Sequence, residues 1–532
     1  MILYGIRRIQ PAIEEMKETF YLTTAIHYAN AAPHIGHAYE DVLADIIARY
    51  KRSRGFDVYF LTGTDEHGSN ILRKAKEEGI GPQALVDKNK ALFQDLFDKL
   101  SVSYDDFIRT SDKNKHWPGA VALWEALQAK GDIYKKKYSG LYCVGCEEFK
   151  TEKDLVLGKC PEHDRVPEII EEENYFFRAS KYSSEILNKI ESGEIKITPD
   201  FRKSEIVSFL KEGFEDVSLS RAEGDIPWGI PVPGDASQTM YVWCDALTNY
   251  ISALGYGRDR ELFEKYWPAN MHIVGKGIFR FHAALWPAML LSAGIQLPKE
   301  IFVHGYITSG GKKMSKTIGN VVDPKEIVDK YGAEAFRYFM AREISPFEDG
   351  DFTEEKFVTA YNANLANGLG NLVSRVLKMS ETYFGGIVKG TNPENVPIKE
   401  HIGMLEGEEQ IDGFSLPYII QEKRIPRYQE WMDKYEIQRG SDVVWRLIQE
   451  LDGYVSSYEP FKLVKTDKSK TEDILWNLLY GLYYVGKMIE PILPDTSTKI
   501  SALLGASIGQ NGEPVSFSTK SLENPLFIRI GE

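Results

Sequence analysis

Two short clusters, far apart in the chain, carry residue types suited to handling a nucleotide. His34-Ile35-Gly36-His37 sets two imidazoles three positions apart at the start of a helical pattern. Both then project from one face, where unsatisfied backbone amides and the helix dipole favour an anion. Gly36 between them allows a nucleotide to approach the backbone closely. The second cluster, Lys313-Met314-Ser315-Lys316-Thr317, follows the pair Gly310-Gly311. The glycines suggest a mobile loop whose two lysines close over an anionic leaving group.

A third cluster points to metal. Cys143-x2-Cys146 and Cys160-x2-His163 are separated by thirteen residues. Three thiolates and an imidazole in two knuckles suit tetrahedral zinc, and a closed set of four ligands leaves no position for substrate, so the expected role is structural. Iron or a degenerate site is the alternative. Cys244 is remote from these and fits apolar packing, and four cysteines do not make a disulfide scaffold.

Positioning these groups requires an α/β framework. Residues 20–28 form a strand pattern that enters a turn-rich stretch, followed by a helical pattern over 39–50 and a second strand over 58–61 leading into Thr62-Gly63-Thr64-Asp65. Strand, loop, helix, strand opens a parallel sheet, whose sites form beyond the carboxyl ends of its strands. The texture changes between about 130 and 235 to short strands and clustered charge, then α/β character returns with strand candidates at 271–274 and 301–304. Helical periodicity dominates from residue 353, over 357–383, 431–438, 443–458 and 471–492, with a surface excursion over about 389–415 and a turn-rich tail after Leu503 expected to pack back across the body. The expected division is a first catalytic half at 18–129, an inserted domain at 130–235, a second catalytic half at 236–310, a lysine-loop and linking segment at 311–355, a helical domain at 356–502 and a tail at 503–532. The fold class is α/β: a Rossmann-like parallel-sheet catalytic domain with an inserted zinc-knuckle domain and a C-terminal all-α helical bundle.

Composition bounds the partners. With 64 basic and 78 acidic residues the net charge is −14, which disfavours a non-specific nucleic-acid sponge but leaves room for a localised RNA contact. The first twenty residues lack a signal-peptide core, and the longest apolar patches fall short of the roughly 18–20 residues needed to span a bilayer. The expected location is the cytoplasm.

The histidine and lysine clusters together resemble the signature pair of the class I aminoacyl-tRNA synthetases, with Thr317 where that class usually has serine. Within the class the sequence is similar to the methionyl-tRNA synthetases at Ala25-Ile26-His27-Tyr28-Ala29-Asn30, Gly63-Thr64-Asp65-Glu66-His67-Gly68, Tyr241-Val242-Trp243-Cys244-Asp245-Ala246, and Phe281-His282 followed by Trp286-Pro287. The resemblance covers roughly residues 18–500. It implies a methionine–tRNA ligase using ATP and Mg²⁺, with tRNA(Met) and L-methionine as partners and one structural zinc. His34, Gly36, His37, Gly275, Lys276, Lys313, Ser315 and Lys316 would serve ATP. Ile26, Tyr28, Asp65, Trp243, Ala246, Tyr250, Phe281 and His282 would hold methionine, with Asp65 meeting the ammonium and the aromatic rings wrapping the thioether. The helical domain would bind the anticodon through Asn371, Arg375 and Phe461. The resemblance also implies attack of the 2′-hydroxyl of the terminal adenosine on the adenylate.

Three positions depart from the family pattern: His27 and Leu247 where proline is frequent, and Gly277 where an aspartate is usual. The rival readings are another class I synthetase, a small nucleotidyltransferase, or a catalytically silent synthetase-like RNA-binding protein. The long insert and helical tail disfavour the second. With no appended oligonucleotide-binding domain evident, a monomer is expected.

Overall fold

The computed structural model describes residues 17–144, 148–150, 152–162, 164–224, 226–314, 320–398 and 413–531. At its centre is a seven-stranded sheet in which every pairing is parallel. Thr19–Thr24 lies between Asp57–Asp65 on one side and Met271–Gly275 on the other. Glu300–His304 extends the sheet past Met271–Gly275, and Lys196–Thr198 pairs beyond it. Asp106–Arg109 lies on the far side of Asp57–Asp65.

The first strand is shorter than its apolar run suggests. It stops at Thr24 and resumes only as His27–Tyr28, paired with Thr64 and Asp65. The second strand is longer, running through Gly63 to Asp65, so the polar residues at its end are held by the ladder rather than by a loop. Lys196–Thr198 is a further difference. Although it lies within 130–235, it is an edge strand of the central sheet.

The helix Ile35–Ser53 begins inside the histidine cluster, because His34 is its N-cap. It buries residues on nearly every side, including Tyr39, Val42, Leu43, Ile46 and Ile47. Lys51 and Arg52 complement the dipole in its last turn.

Between the sheet halves, Ile133–Cys143 and Glu168–Phe177 form a long antiparallel hairpin flanked by Glu148–Lys150 and Val217–Ser218. The helices Ser183–Ser192 and Lys203–Gly213 follow. Phe177, Ile186, Ile206 and Leu210 share one apolar core with Leu61, Trp243 and Ile301, so this segment packs onto the catalytic sheet.

Beyond Thr353 the chain is helical. Glu354–Ala360, a widened π-type segment Tyr361–Gly370 and Asn371–Phe384 run without a break. The expected helix over 431–438 is interrupted: Ile425–Asp433 ends, Tyr435 takes φ +60°, and Ile437–Tyr458 begins anew. Asp467 caps Lys468–Ile489 by accepting from the Lys470 amide at 2.9 Å. This last helix packs directly on Ile437–Tyr458: a Cβ at Gly481 would lie 2.4 Å from Leu451. The bundle core includes Leu447, Leu451, Leu478 and Leu482, each buried and each contributing about 1.5–3 kcal/mol. The tail folds back: Pro514–Ser518 pairs with Ile387–Val388, and the Tyr361 hydroxyl donates to the Ile528 carbonyl at 2.9 Å. Most of the excursion, residues 399–412, lies outside the described residues.

Candidate active site

The histidine cluster, Lys276 and the lysine hairpin follow the carboxyl ends of parallel strands. The His34 Nδ1 accepts from the Gly36 amide at 3.1 Å, while His37 Nδ1 accepts from the His34 amide at 3.2 Å. The two rings stack with centroids 3.6 Å apart. The pair therefore caps its own helix, satisfying donors that would otherwise be orphaned. Burial, with His34 and His27 as neighbours, holds His37 well below the ordinary imidazole range, so it acts as a neutral hydrogen-bonding group.

His27, one of the departures from the family pattern, has a partner of its own. Its Nε2 donates to Asp41 at 2.6 Å, and its ring stacks on Phe93 at 5.3 Å and lies 4.7 Å from His37. Burial opposes its protonation, but Asp41 outweighs burial and raises its pKa. Its position supports the back of the histidine cluster.

Gly275 ends the strand Met271–Gly275, and Lys276 follows at its mouth. The hairpin Ile307–Ser309 with Lys312–Lys313 begins the lysine element. The Lys313 backbone pairs with Thr308. Ser315, Lys316 and Thr317 lie outside the described residues.

On the other side of the first strand, aromatic rings converge. Trp243 and Phe281 stack with centroids 3.7 Å apart and planes at 9°, and the His282 ring meets Trp243 edge-on at 6.4 Å. The Tyr250 hydroxyl donates to His282 Nε2 at 2.7 Å, and His282 Nδ1–H donates to the Ile278 carbonyl at 2.9 Å. Ile26 and Tyr28 pack against the same apolar cluster. Ala246 stands one turn from Trp243 on the helix Val242–Ser252. The buried Asp65 is in register with Tyr28 at the end of its strand. The Trp243 indole N–H is buried with no hydrogen-bond partner among the described residues, a donor left within the aromatic wall.

Several supporting residues were not singled out from sequence. Asp245 accepts from His67 Nδ1 at 2.6 Å and from His116 Nε2 at 2.7 Å, all three buried. Burial pushes the Asp245 carboxyl up, but the two imidazoles hold it below the usual range. This triad ties the Trp243 helix to the strand end carrying Asp65. Glu40 does the same for the nucleotide side, accepting from the Ala25 amide at 3.0 Å and from His304 Nε2 at 2.7 Å. The histidine-cluster helix is thereby joined to the strand that leads into the lysine hairpin. Asp245 and His67 stand in the quoted motifs and Glu40 in the helical pattern after the histidines, but nothing in the sequence indicated the partner of either carboxylate.

At the knuckles, Cys143 and Cys160 are both buried. Cys160 opens a tight turn in which its carbonyl accepts from the Asp164 amide and its amide donates to the Arg165 carbonyl, each at 2.8 Å. Cys146 and His163 lie outside the described residues. Among those described, no three His, Cys, Asp or Glu side chains gather as a metal would require.

In the helical domain, Asn371 and Arg375 lie one turn apart on Asn371–Phe384. Arg375 donates to Asp452 at 2.6 Å, six residues before the end of Ile437–Tyr458. Phe461 follows in the short helix Pro460–Leu463 and is 41% exposed, high for a phenylalanine.

A family model described as tRNA synthetases class I (M) matches residues 20–166 and 163–377. A methionine–tRNA ligase of Caldanaerobacter subterraneus subsp. tengcongensis is 43% identical over 493 residues, spanning 92% of this chain and 74% of that protein. One from Brucella suis biovar 1 is 41% identical, spanning 92% of both. The solved structure of Mycobacterium tuberculosis methionyl-tRNA synthetase in complex with methionyl-adenylate superposes with a TM-score of 0.87 at 35% identity, covering 96% of this chain and 100% of that one. The parallel sheet, the helix-capping histidines and the lysine hairpin define a class I aminoacyl-tRNA synthetase. Within that class, the chain belongs to the methionine–tRNA ligase family.

Proposed function

We propose that this enzyme activates L-methionine with ATP to methionyl-adenylate and transfers the methionyl group to the 3′ end of tRNA(Met). The observation that carries the amino-acid choice is the wall of Trp243, Phe281, Tyr250 and His282 beside the strand end bearing Asp65. It offers flat, polarizable surfaces to an unbranched thioether and a carboxylate to the ammonium.

In the first step a methionine carboxylate oxygen bonds to the α-phosphorus of ATP, and the bond from that phosphorus to the bridging oxygen breaks. The electron pair leaves on pyrophosphate. The carboxylate is already ionised, so the barrier lies in alignment and charge. His34 and His37 exchange their capping contacts for phosphate oxygens, while Lys276, Lys313 and Lys316 neutralise the departing group. Mg²⁺ accompanies the nucleotide. In the second step a ribose hydroxyl oxygen of the terminal adenosine bonds to the adenylate carbonyl carbon, the bond from that carbon to the phosphate oxygen breaks with its electron pair leaving on AMP, and the hydroxyl proton passes to water.

Asn371, Arg375 and Phe461 read the anticodon in this account, with Phe461 as an exposed stacking ring. Cys143, Cys146, Cys160 and His163 would hold one zinc that stabilises the knuckles without touching substrate. The burial of Cys143 at the end of its strand and of Cys160 at the start of a tight turn supports this. Metal analysis should give one zinc per chain, lost in Cys160→Ser; equal content in both proteins would refute the site. The enzyme is read as a cytoplasmic monomer. Among the described residues no helix is long and apolar enough to cross a membrane. Methionine-dependent ATP–pyrophosphate exchange together with charging of tRNA(Met) tests the function; exchange without charging would remove the second step.

A further inference from the structure

A Cβ at Gly277 would lie 2.1 Å from the Tyr306 hydroxyl, so any side chain there would have to displace that ring from its present place. That hydroxyl instead accepts from the Gly277 backbone amide. The Tyr306 ring also lies beneath the neighbouring ammonium, with Lys276 Nζ 4.5 Å from its centroid. The carboxylate facing Lys276 comes from a distant segment: both oxygens of Asp349 are 2.7 Å from Lys276 Nζ. Asp349 Oδ1 further accepts from the Tyr306 amide at 2.9 Å.

The strand that follows Asp349 lies alongside the lysine hairpin. Gly350–Asp351 pairs in parallel with Ile307 and Thr308. Asp351 accepts from the Gly311 amide at 2.7 Å and from the Thr308 hydroxyl at 3.1 Å. Two carboxylates, Asp349 just before a short strand and Asp351 within it, thus hold the turn bearing Lys276 and the glycine pair at the tip of the hairpin in fixed register. A charged, bidentate contact of this kind orients an ammonium more tightly than a single neutral hydrogen bond.

We propose that Asp349 is a positioning residue for adenylate formation: it holds the Lys276 ammonium over Tyr306 at the nucleotide side and couples that turn to the lysine hairpin. This rests on the reading of Lys276 as a residue that meets ATP.

Steady-state exchange kinetics on the full-length enzyme, varying ATP and methionine separately, test it with Lys276→Met, Asp349→Ala, Asp349→Glu and the double variant Lys276→Met/Asp349→Ala. Asp349→Ala is expected to raise KM for ATP or lower kcat by about tenfold, with KM for methionine within about twofold. Asp349→Glu should recover part of the loss, and the double variant should be no worse than Lys276→Met, since the two residues act as a unit. If Lys276→Met leaves the ATP parameters unchanged, the reading of Lys276 fails. If Lys276→Met is impaired but Asp349→Ala is not, or if their effects add and methionine KM moves in parallel, the positioning role of Asp349 fails while Lys276 stands.

Discussion

The Tyr250 hydroxyl donates to His282 Nε2 at 2.7 Å, which fixes His282 as a neutral imidazole whose other nitrogen donates to Ile278. Protonation would set two donors against each other. Burial lowers the His282 pKa from 6.5 to about 4. The unfolded chain therefore binds more protons than the folded one between those values, so stability rises with pH through the window and is lost as pH falls. His272 and His37 are shifted in the same direction, whereas His27 is raised and works oppositely. Urea midpoints should decline from pH 7 to pH 5, less steeply in His282→Gln. Equal slopes for the two proteins would exclude His282 as a contributor.

The catalytic and helical parts meet at a second buried pair. Arg337, with no solvent exposure, lies 2.7 Å from Asp45 and donates to the carbonyls of Leu100, Pro491 and Ile492. Arg337→Met leaves three carbonyls and part of a carboxylate unsatisfied. Breaking such a pair should cost about 3–5 kcal/mol in urea unfolding. A loss below about 1 kcal/mol would mean that the interface relaxes to repair itself.

Recognition of tRNA should separate from activation. With Phe461 stacking on an anticodon base as proposed, Phe461→Ala removes a contact worth about 1–3 kcal/mol per base, so aminoacylation of tRNA(Met) should fall about tenfold while exchange stays within about twofold. Arg375→Ala should behave likewise, although part of its charge is engaged by Asp452. Equal losses in both assays would point to damaged folding and withdraw the anticodon role.

The readable parts of the site were those whose chemistry is local. The His34–His37 cluster announces a helix start through residues three apart, and the structure places the cap there. Trp243, Ala246 and Tyr250 were legible only through the family resemblance, and the structure places them three and four residues apart on the helix Val242–Ser252. Glu40 with His304, Asp245 with His67 and His116, and Lys276 with Asp349 were illegible, since their partners lie between 73 and 264 positions away. No periodicity marks such pairs; only the sheet's crossovers bring them together. Lys196–Thr198 was missed for a similar reason, because three residues cannot display an alternation, and its place at the sheet edge is decided by the packing of the insert.

The central claim is the choice of amino acid, and ATP–pyrophosphate exchange driven by a panel of amino acids tests it most directly. Methionine should drive exchange, and leucine, isoleucine, valine and cysteine should not; Trp243→Ala should weaken methionine-dependent exchange by raising KM for methionine. Exchange driven by leucine, valine or cysteine but not by methionine would contradict the account.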